Sequence, residues 1–401
     1  MKDIFSAIPI YEQVSGKCSI GDAIRLDAKP GEYSVTRVSG RFADITGGKV
    51  YEITVPCRTE GITVGKAQAI ASWIKENGDI YSRCYFEKTA DDTMKLRCCP
   101  HESVNALEIE YRLWAHGGGT ALFGAPEITC MGDYQPRKAR LATAWVNTHK
   151  DGRTLADNLS EILRIADNAG KSEEKPDLLV FSETIYGRNV DNLTRAEKAP
   201  ALDSEPVRLI CGKAAEHKMY IIVGMLINDG GLLKNVALII NRMGKVEHIY
   251  TKTHLTMGEI ESGIVPGMEI PVYDLDFGRV GVLICWDHYF SETSRILHLK
   301  GAEVIAVPTA GDTDYQCRAR AADSGAYLVM SGMHMPGSSM ILDPDGNTIA
   351  SVRDLRQCYA SAEVDLNQRN FTYWLSVGPC YGEARDIYLN ERRNDLYDDI
   401  N

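Results

Sequence analysis

The chain predicts an all-β sandwich followed by an α/β domain, and two observations carry that expectation. Up to Pro136, short segments of alternating apolar and polar residues recur at intervals of about ten, parted by turn residues. After Pro136 the pattern changes to apolar runs that alternate with stretches of helical period. These patterns predict a β-sandwich accessory domain over 1–136, an α/β domain over 137–369 and a C-terminal extension over 370–401.

In the first region the candidate strands are GEYSVTRVSGRFADI (31–45), KVYEITVPCRTEGITV (49–64), KAQAIASWI (66–74), DIYSRCYFEK (79–88) and ALEIEYRLWAHGGG (106–119). Period-two alternation suits antiparallel strands with one face on a core, so a jelly-roll-like sandwich is expected. The glycines at 117–119 read as a turn. Trp73, Tyr81, Tyr85, Tyr111 and Trp114 admit two readings, a sandwich core or a face that stacks on sugars. The core is the commoner fate of such rings.

In the second region ARLATAWVNT (139–148) reads as a strand. LADNLSEILRIADNAG (155–170) reads as an amphipathic helix, with Leu155, Leu159, Leu163 and Ile165 on or near one face and Gly170 closing it. PDLLVFSE (176–183) is nearly all apolar, as suits a strand covered on both faces. A helix (207–218), a strand (219–227) and two strands around a Met243-Gly244 turn follow. Then come a buried strand (278–287), a helix (291–302), a strand (302–310), a helix (317–326) and strands at 326–334 and 338–352, the last folding back at Asp343-Pro344-Asp345-Gly346. Residues 371–401 mix Tyr and Trp with many charges, as an extension packed on a surface or at a subunit interface would.

Hydrophobic residues at 44% and charged residues at 25% are values of a globular chain. A net charge of −11 and a pI near 5.4 argue against nucleic acid or an anionic membrane as the main partner. The first residues, MKDIFSAIPIYEQ, carry charge too early for a signal peptide, and no run of about 18 apolar residues is present. Eleven cysteines, an odd number without CxxC spacing, point to reduced thiols in a cytoplasmic protein. Without HExxH, ligand-spaced His and carboxylates, a P-loop or GxGxxG, neither a metal nor another cofactor is expected.

Three polar residues stand at the tails of strand-like runs: Glu183 in PDLLVFSE, Lys252 in KVEHIYTK and Cys285 in GRVGVLICWD. Ligands of open α/β sheets gather at the carboxyl ends of strands. Taken singly, a strand-end Cys is ordinarily a small core hydrophobe and a Lys a solvated charge. A carboxylate directly after a buried run needs a partner or a function. Together the three supply a nucleophile, a base and a cation for a developing oxyanion.

These motifs resemble the nitrilase, or carbon-nitrogen hydrolase, superfamily across residues 137–369. PDLLVFSET, GKVEHIYTKTHL and GVLICWDHYFSE are similar to its three catalytic motifs, with the key residues 69 and 33 positions apart. GAEVIAVPT and SSMILDPDGNTIA match later landmarks. The resemblance implies a Glu-Lys-Cys triad on a four-layer α-β-β-α sandwich that assembles as a homodimer or higher homo-oligomer. On that basis Glu183 is the general base, Cys285 the nucleophile, and Lys252 with the Trp286 N–H the oxyanion partners. A second glutamate is also implied. Spacing from Lys252 favours Glu259, and distance from Pro266-Gly267 favours Glu261; Glu259 is the preferred choice. His288 is expected to line the pocket or support it, and His254 to be a structural hydrogen-bonder.

The implied activity is thiol-dependent hydrolysis of a small amide or N-carbamoyl compound, with CWDHYF nearer to amidase branches than to nitrilases. The alternatives are a nitrilase and a non-catalytic binding protein on the same fold, the second disfavoured by the intact Glu, Lys and Cys.

Overall fold

The computed structural model describes residues 4–7, 16–21, 23–148, 152–311, 314–333, 337–368, 370–374, 376 and 378–397. Of the segments read above, 1–3, 8–15, His334, Leu375, Val377 and 398–401 lie outside the described residues. The chain forms two compact units, one of Met1–Gln135 with Phe371–Asn401 and one of Pro136–Asn370.

In the first unit two seven-stranded sheets share one apolar core. One sheet runs Ile4–Ala7, Tyr33–Phe42, Val104–His116, Val64–Lys75, Ile80–Tyr85, Cys380–Glu383, Phe371–Trp374. The other runs Gly16–Ile20, Ile24–Ala28, Gly119–Phe123, Lys49–Glu60, Thr93–Cys98, Glu87–Lys88, with Glu127–Asp133 also on Lys49–Glu60. Alternation drives this pairing: along Val104–His116, Leu107, Ile109, Tyr111, Leu113 and Ala115 all reach the core. Of the five aromatics, Trp73, Tyr85 and Tyr111 are buried, whereas Tyr81 and Trp114 are half-buried.

Residues 371–401, set apart by sequence as an extension, belong to this unit. Cys380–Glu383 runs parallel to Ile80–Tyr85, and Ile387 of the helix Ala384–Asn390 packs with Ile70, Tyr85 and Cys380. Lys66 Nζ and Gln68 Nε2 donate to the Asn390 carbonyl at 2.9 and 3.2 Å.

The second unit is a four-layer α-β-β-α sandwich. Its first sheet is ordered Val246–Thr251, Leu232–Ile240, Tyr220–Asp229, Leu178–Val180, Lys138–Ala144, Tyr359–Asp365. Its second is ordered Val272–Asp274, Arg279–Val282, Val304–Pro308, Tyr327–Ser331, Met340–Leu342, Thr348–Ser351. The central strands are parallel and the flanking ones antiparallel. Val180, Ile222 and Ala237 meet Val282, Ala306 and Val329 between the sheets. The helices Leu155–Gly170 and Glu205–His217 cover the first sheet, through Ile162, Ile165, Val207 and Ile210. Ser291–Leu299 and Asp314–Ser324 cover the second, through Leu297, Cys317 and Ala321. Near-continuous apolar strands are what two covered faces require. Among the described residues no helix is long and apolar enough to cross a membrane.

Candidate active site

Glu183 follows the strand Leu178–Val180, and the chain turns away at once through Thr184, at a φ of +48°. The neighbouring strand passes so close that a Cβ on Gly224 would lie 2.6 Å from Glu183 Cα, so only glycine admits the approach. Lys252 ends the strand Val246–Thr251, its N–H donating to the Asn235 carbonyl at 2.9 Å. Both side chains are sealed, with Glu183 5% and Lys252 1% exposed. Cys285 opens a tight turn over Cys285–Tyr289 and holds a φ of +44°. A non-glycine residue there is strained, a feature that concentrates at functional sites.

The Lys252 ammonium donates to Glu183 Oε1 at 2.8 Å and to Glu259 Oε1 and Oε2 at 3.1 and 2.9 Å. Asn235 Nδ2 donates to the same two Oε1 atoms, at 2.8 Å for Glu183 and 2.7 Å for Glu259. Glu183 Oε2 accepts the Ala310 N–H at 3.1 Å. That N–H and the Thr309 hydroxyl also favour the ionised form of the Cys285 thiol.

Asp287 fastens the turn. Its Oδ2 accepts the Ile284 N–H at 2.9 Å and the Tyr250 hydroxyl at 2.8 Å. Its Oδ1 accepts the His254 N–H at 2.7 Å and the Thr253 hydroxyl at 2.9 Å. The residues flanking Cys285 are thereby tied to those following Lys252. From the other side Arg320 donates to the carbonyls of His288 and Tyr289 at 3.0 and 3.1 Å.

The electrostatics fit a neutral thiol beside a charged trio. Burial, then Glu183, push the Cys285 pKa up to about 11, against the pull of Lys252, Thr309 and Ala310. At neutral pH the thiol therefore keeps its proton until a base removes it. Burial alone would lower the Lys252 pKa, but Glu183, Cys285 and Glu259 together raise it well above the ordinary lysine value. Burial would likewise raise Glu259; Lys252, Thr256 and Asn235 outweigh it and hold that carboxylate below its ordinary value.

The structure brings Glu183, Lys252 and Glu259 into direct contact and places Glu261 in the solvent. Glu259 sits in the helix Met257–Glu261, where Thr256 N–H and Oγ1 donate to its Oε2 at 2.8 and 2.9 Å. His288 is buried, its ring bonded to the Cys285 backbone and its pKa lowered by burial to about 4. The Trp286 ring is exposed and packs on Tyr289 with centroids 4.5 Å apart. His254 bonds Thr253 and Asp287 and stacks on Phe290 at 4.2 Å. Asn235, Thr309 and Ala310 were not singled out by sequence, and Asp287 only as the residue after the Cys-Trp pair. Asn235 alone left a signal, as a polar residue opening the apolar run NVALII.

Among the described residues one group has metal-ligand proximity, Asp167, Glu216 and His217 of the first two helices. The Lys213 ammonium stands 2.8 Å from both Asp167 Oδ1 and Glu216 Oε2, so a cation already neutralises it.

With this geometry in place, the family model for carbon-nitrogen hydrolases matches residues 143–372. The chain belongs to the carbon-nitrogen hydrolase family. It is 32% identical to a nitrilase of Pyrococcus abyssi over 213 residues, which are 50% of this chain and 77% of that protein. It is 30% identical to an (R)-stereoselective amidase of a Pseudomonas species over 236 residues, 55% of this chain and 82% of that protein. A carbon-nitrogen hydrolase structure from Helicobacter pylori superposes with a TM-score of 0.53 at 18% identity, covering 67% of this chain and 99% of that one, a likeness of fold.

Proposed function

We propose that this hydrolase cleaves the C–N bond of a small amide or N-carbamoyl compound through a Cys285 acyl-enzyme. The observation that supports the reading is the buried Glu183–Lys252–Glu259 cluster, whose Glu183 and Lys252 both act on the Cys285 thiol. Glu183 takes the thiol proton as Sγ attacks the carbonyl carbon. The oxyanion faces the Lys252 ammonium and the Trp286 N–H; one such donor is worth about 3 kcal/mol in comparable sites. As the C–N bond breaks, Glu183 passes the proton to the departing nitrogen, which leaves as ammonia or amine. A water then gives a proton to Glu183 and its oxygen to the thioester carbon, and the acid departs as the thiol is restored. Glu259 keeps Lys252 charged and in place throughout.

The Asp after the Cys-Trp pair favours an amide over a nitrile. The 32% identity to the Pyrococcus nitrilase favours the second reading, in which two waters convert R–C≡N to acid and ammonia. A panel of small amides, N-carbamoyl compounds and nitriles, followed by ammonia release and intact mass, separates them. Turnover of the first two classes with an acyl adduct on Cys285 is expected. Turnover of nitriles alone would establish the second reading, and no adduct with any class would sink both.

A further inference from the structure

The hydrogen bonds around the two glutamates are unequal, and the inequality runs through Asn235. A carboxylate oxygen offers about two acceptor sites. Glu259 has none to spare: its Oε1 takes Asn235 and Lys252, and its Oε2 takes Lys252 and both donors of Thr256. Glu183 Oε1 is filled by Asn235 and Lys252. Only Glu183 Oε2, with the Ala310 N–H as its single partner among the described residues, keeps an open site. The same Ala310 N–H also acts on the Cys285 thiol, favouring its ionised form.

Asn235 is placed to do this and little else. It lies in the strand Leu232–Ile240, opposite Leu226, and is 1% exposed. Its carbonyl holds the Lys252 N–H, so one residue fixes the lysine backbone and both lysine-bound carboxylates. Its Oδ1 has no hydrogen-bond partner among the described residues. An unpaired buried amide oxygen is costly. It is tolerated because the reverse orientation would press that oxygen against two carboxylates.

We propose that Asn235 is a positioning residue that directs the Cys285 proton to one atom, Glu183 Oε2, by occupying the Oε1 atoms of both glutamates. The inference rests on the thiol-hydrolase reading for its consequence in turnover, but its geometry concerns only thiol, base and amide. The titratable groups facing the cluster are Glu183, Glu259, Lys252 and Cys285, with His288 behind the Cys285 backbone. Without the two amide donors, the glutamates share one ammonium with a vacant acceptor site on each, and the pair takes up a proton at higher pH.

The test compares wild type, Asn235→Leu and Asn235→Asp, the second keeping the amide's shape should the first fail to fold. The rate of Cys285 alkylation by iodoacetamide is measured against pH, alongside kcat and KM for ammonia release. In Asn235→Leu the acid limb of the alkylation profile is expected to rise by about one pH unit, the scale of a hydrogen bond to a charged group. kcat should fall by about 10- to 100-fold with KM within about threefold. Asn235→Asp, which sets a third carboxyl against the two glutamates, should move the limb the same way by at least as much. Folded variants with an unmoved limb and kcat within about threefold of wild type would overturn the inference. A limb that moves in a protein that turns over no amide, carbamoyl compound or nitrile would sink the hydrolase reading while upholding the role of Asn235.

Discussion

The sandwich unit seals Trp73, Tyr111 and Phe123 between its sheets, whereas the four-layer unit buries Lys252, Glu183, Glu259 and Asp287. Apolar rings give up water at a gain. A buried ion costs several kcal/mol unless partners replace its hydration, and a packed apolar cluster would serve stability as well or better. The second unit does build such clusters elsewhere, between its sheets and beneath its helices. Charges kept where stability did not need them are what the proposed chemistry would require. The same contrast separates Glu259, saturated and structural in its bonding, from Glu183, which keeps an acceptor open.

Removing the Cys285 thiol should have the largest effect. Cys285→Ala should lower kcat by more than about 1,000-fold while the melting temperature stays within a few degrees. Residual turnover of a few per cent would take the thiol out of the mechanism. In the sandwich, Trp73→Ala should cost about 3–5 kcal/mol of stability. Cys285 alkylation at temperatures where both units remain folded should be unchanged; a slowed reaction would show that the two cores are not separable in effect.

Asp287→Ala crosses the two behaviours, since it strips one buried carboxylate of a purely supporting kind. Ile284, His254, Tyr250 and Thr253 would lose their acceptor, a destabilisation of about 3 kcal/mol, and the turn that carries Cys285 would loosen. Denaturant midpoint and alkylation rate should fall together; a change in only one would separate support from reactivity. The smallest effect is a pH slope. Cys285 holds its proton more tightly folded than unfolded, so the stability it contributes is complete below its ordinary value near 9 and drains away as pH rises to about 11. Between those limits wild type should lose stability more steeply than Cys285→Ala, and parallel curves in thermal melts would refute the assignment.

Glu183, Lys252 and Cys285 were legible in the sequence because each stands where a strand-like run stops, Glu183 and Cys285 directly after apolar stretches. Glu259 was decidable too: Thr256-Met-Gly-Glu259 is a capping box, which turns that carboxylate back over its own helix start and leaves Glu261 outside. Asn235, Asp287 and Ala310 were not legible as site residues, since their meaning depends on which distant segments the sheets bring alongside. Helices and buried strands of the second unit announced themselves by period. The strands Phe371–Trp374 and Cys380–Glu383 are four residues each, too short for alternation to say which sheet they join.

The return of residues 371–397 to the first unit has a consequence for synthesis. Strands Lys138–Ala144 and Tyr359–Asp365 pair antiparallel, so the four-layer unit enters and leaves its fold at one place, as a domain set into the sandwich. Residues 136–370 are synthesised before the strands Phe371–Trp374 and Cys380–Glu383 that cover the edge of the sandwich. Until Cys380–Glu383 arrives, Ile80–Tyr85 is a bare edge, and the nascent chain has to keep it from pairing with a neighbour.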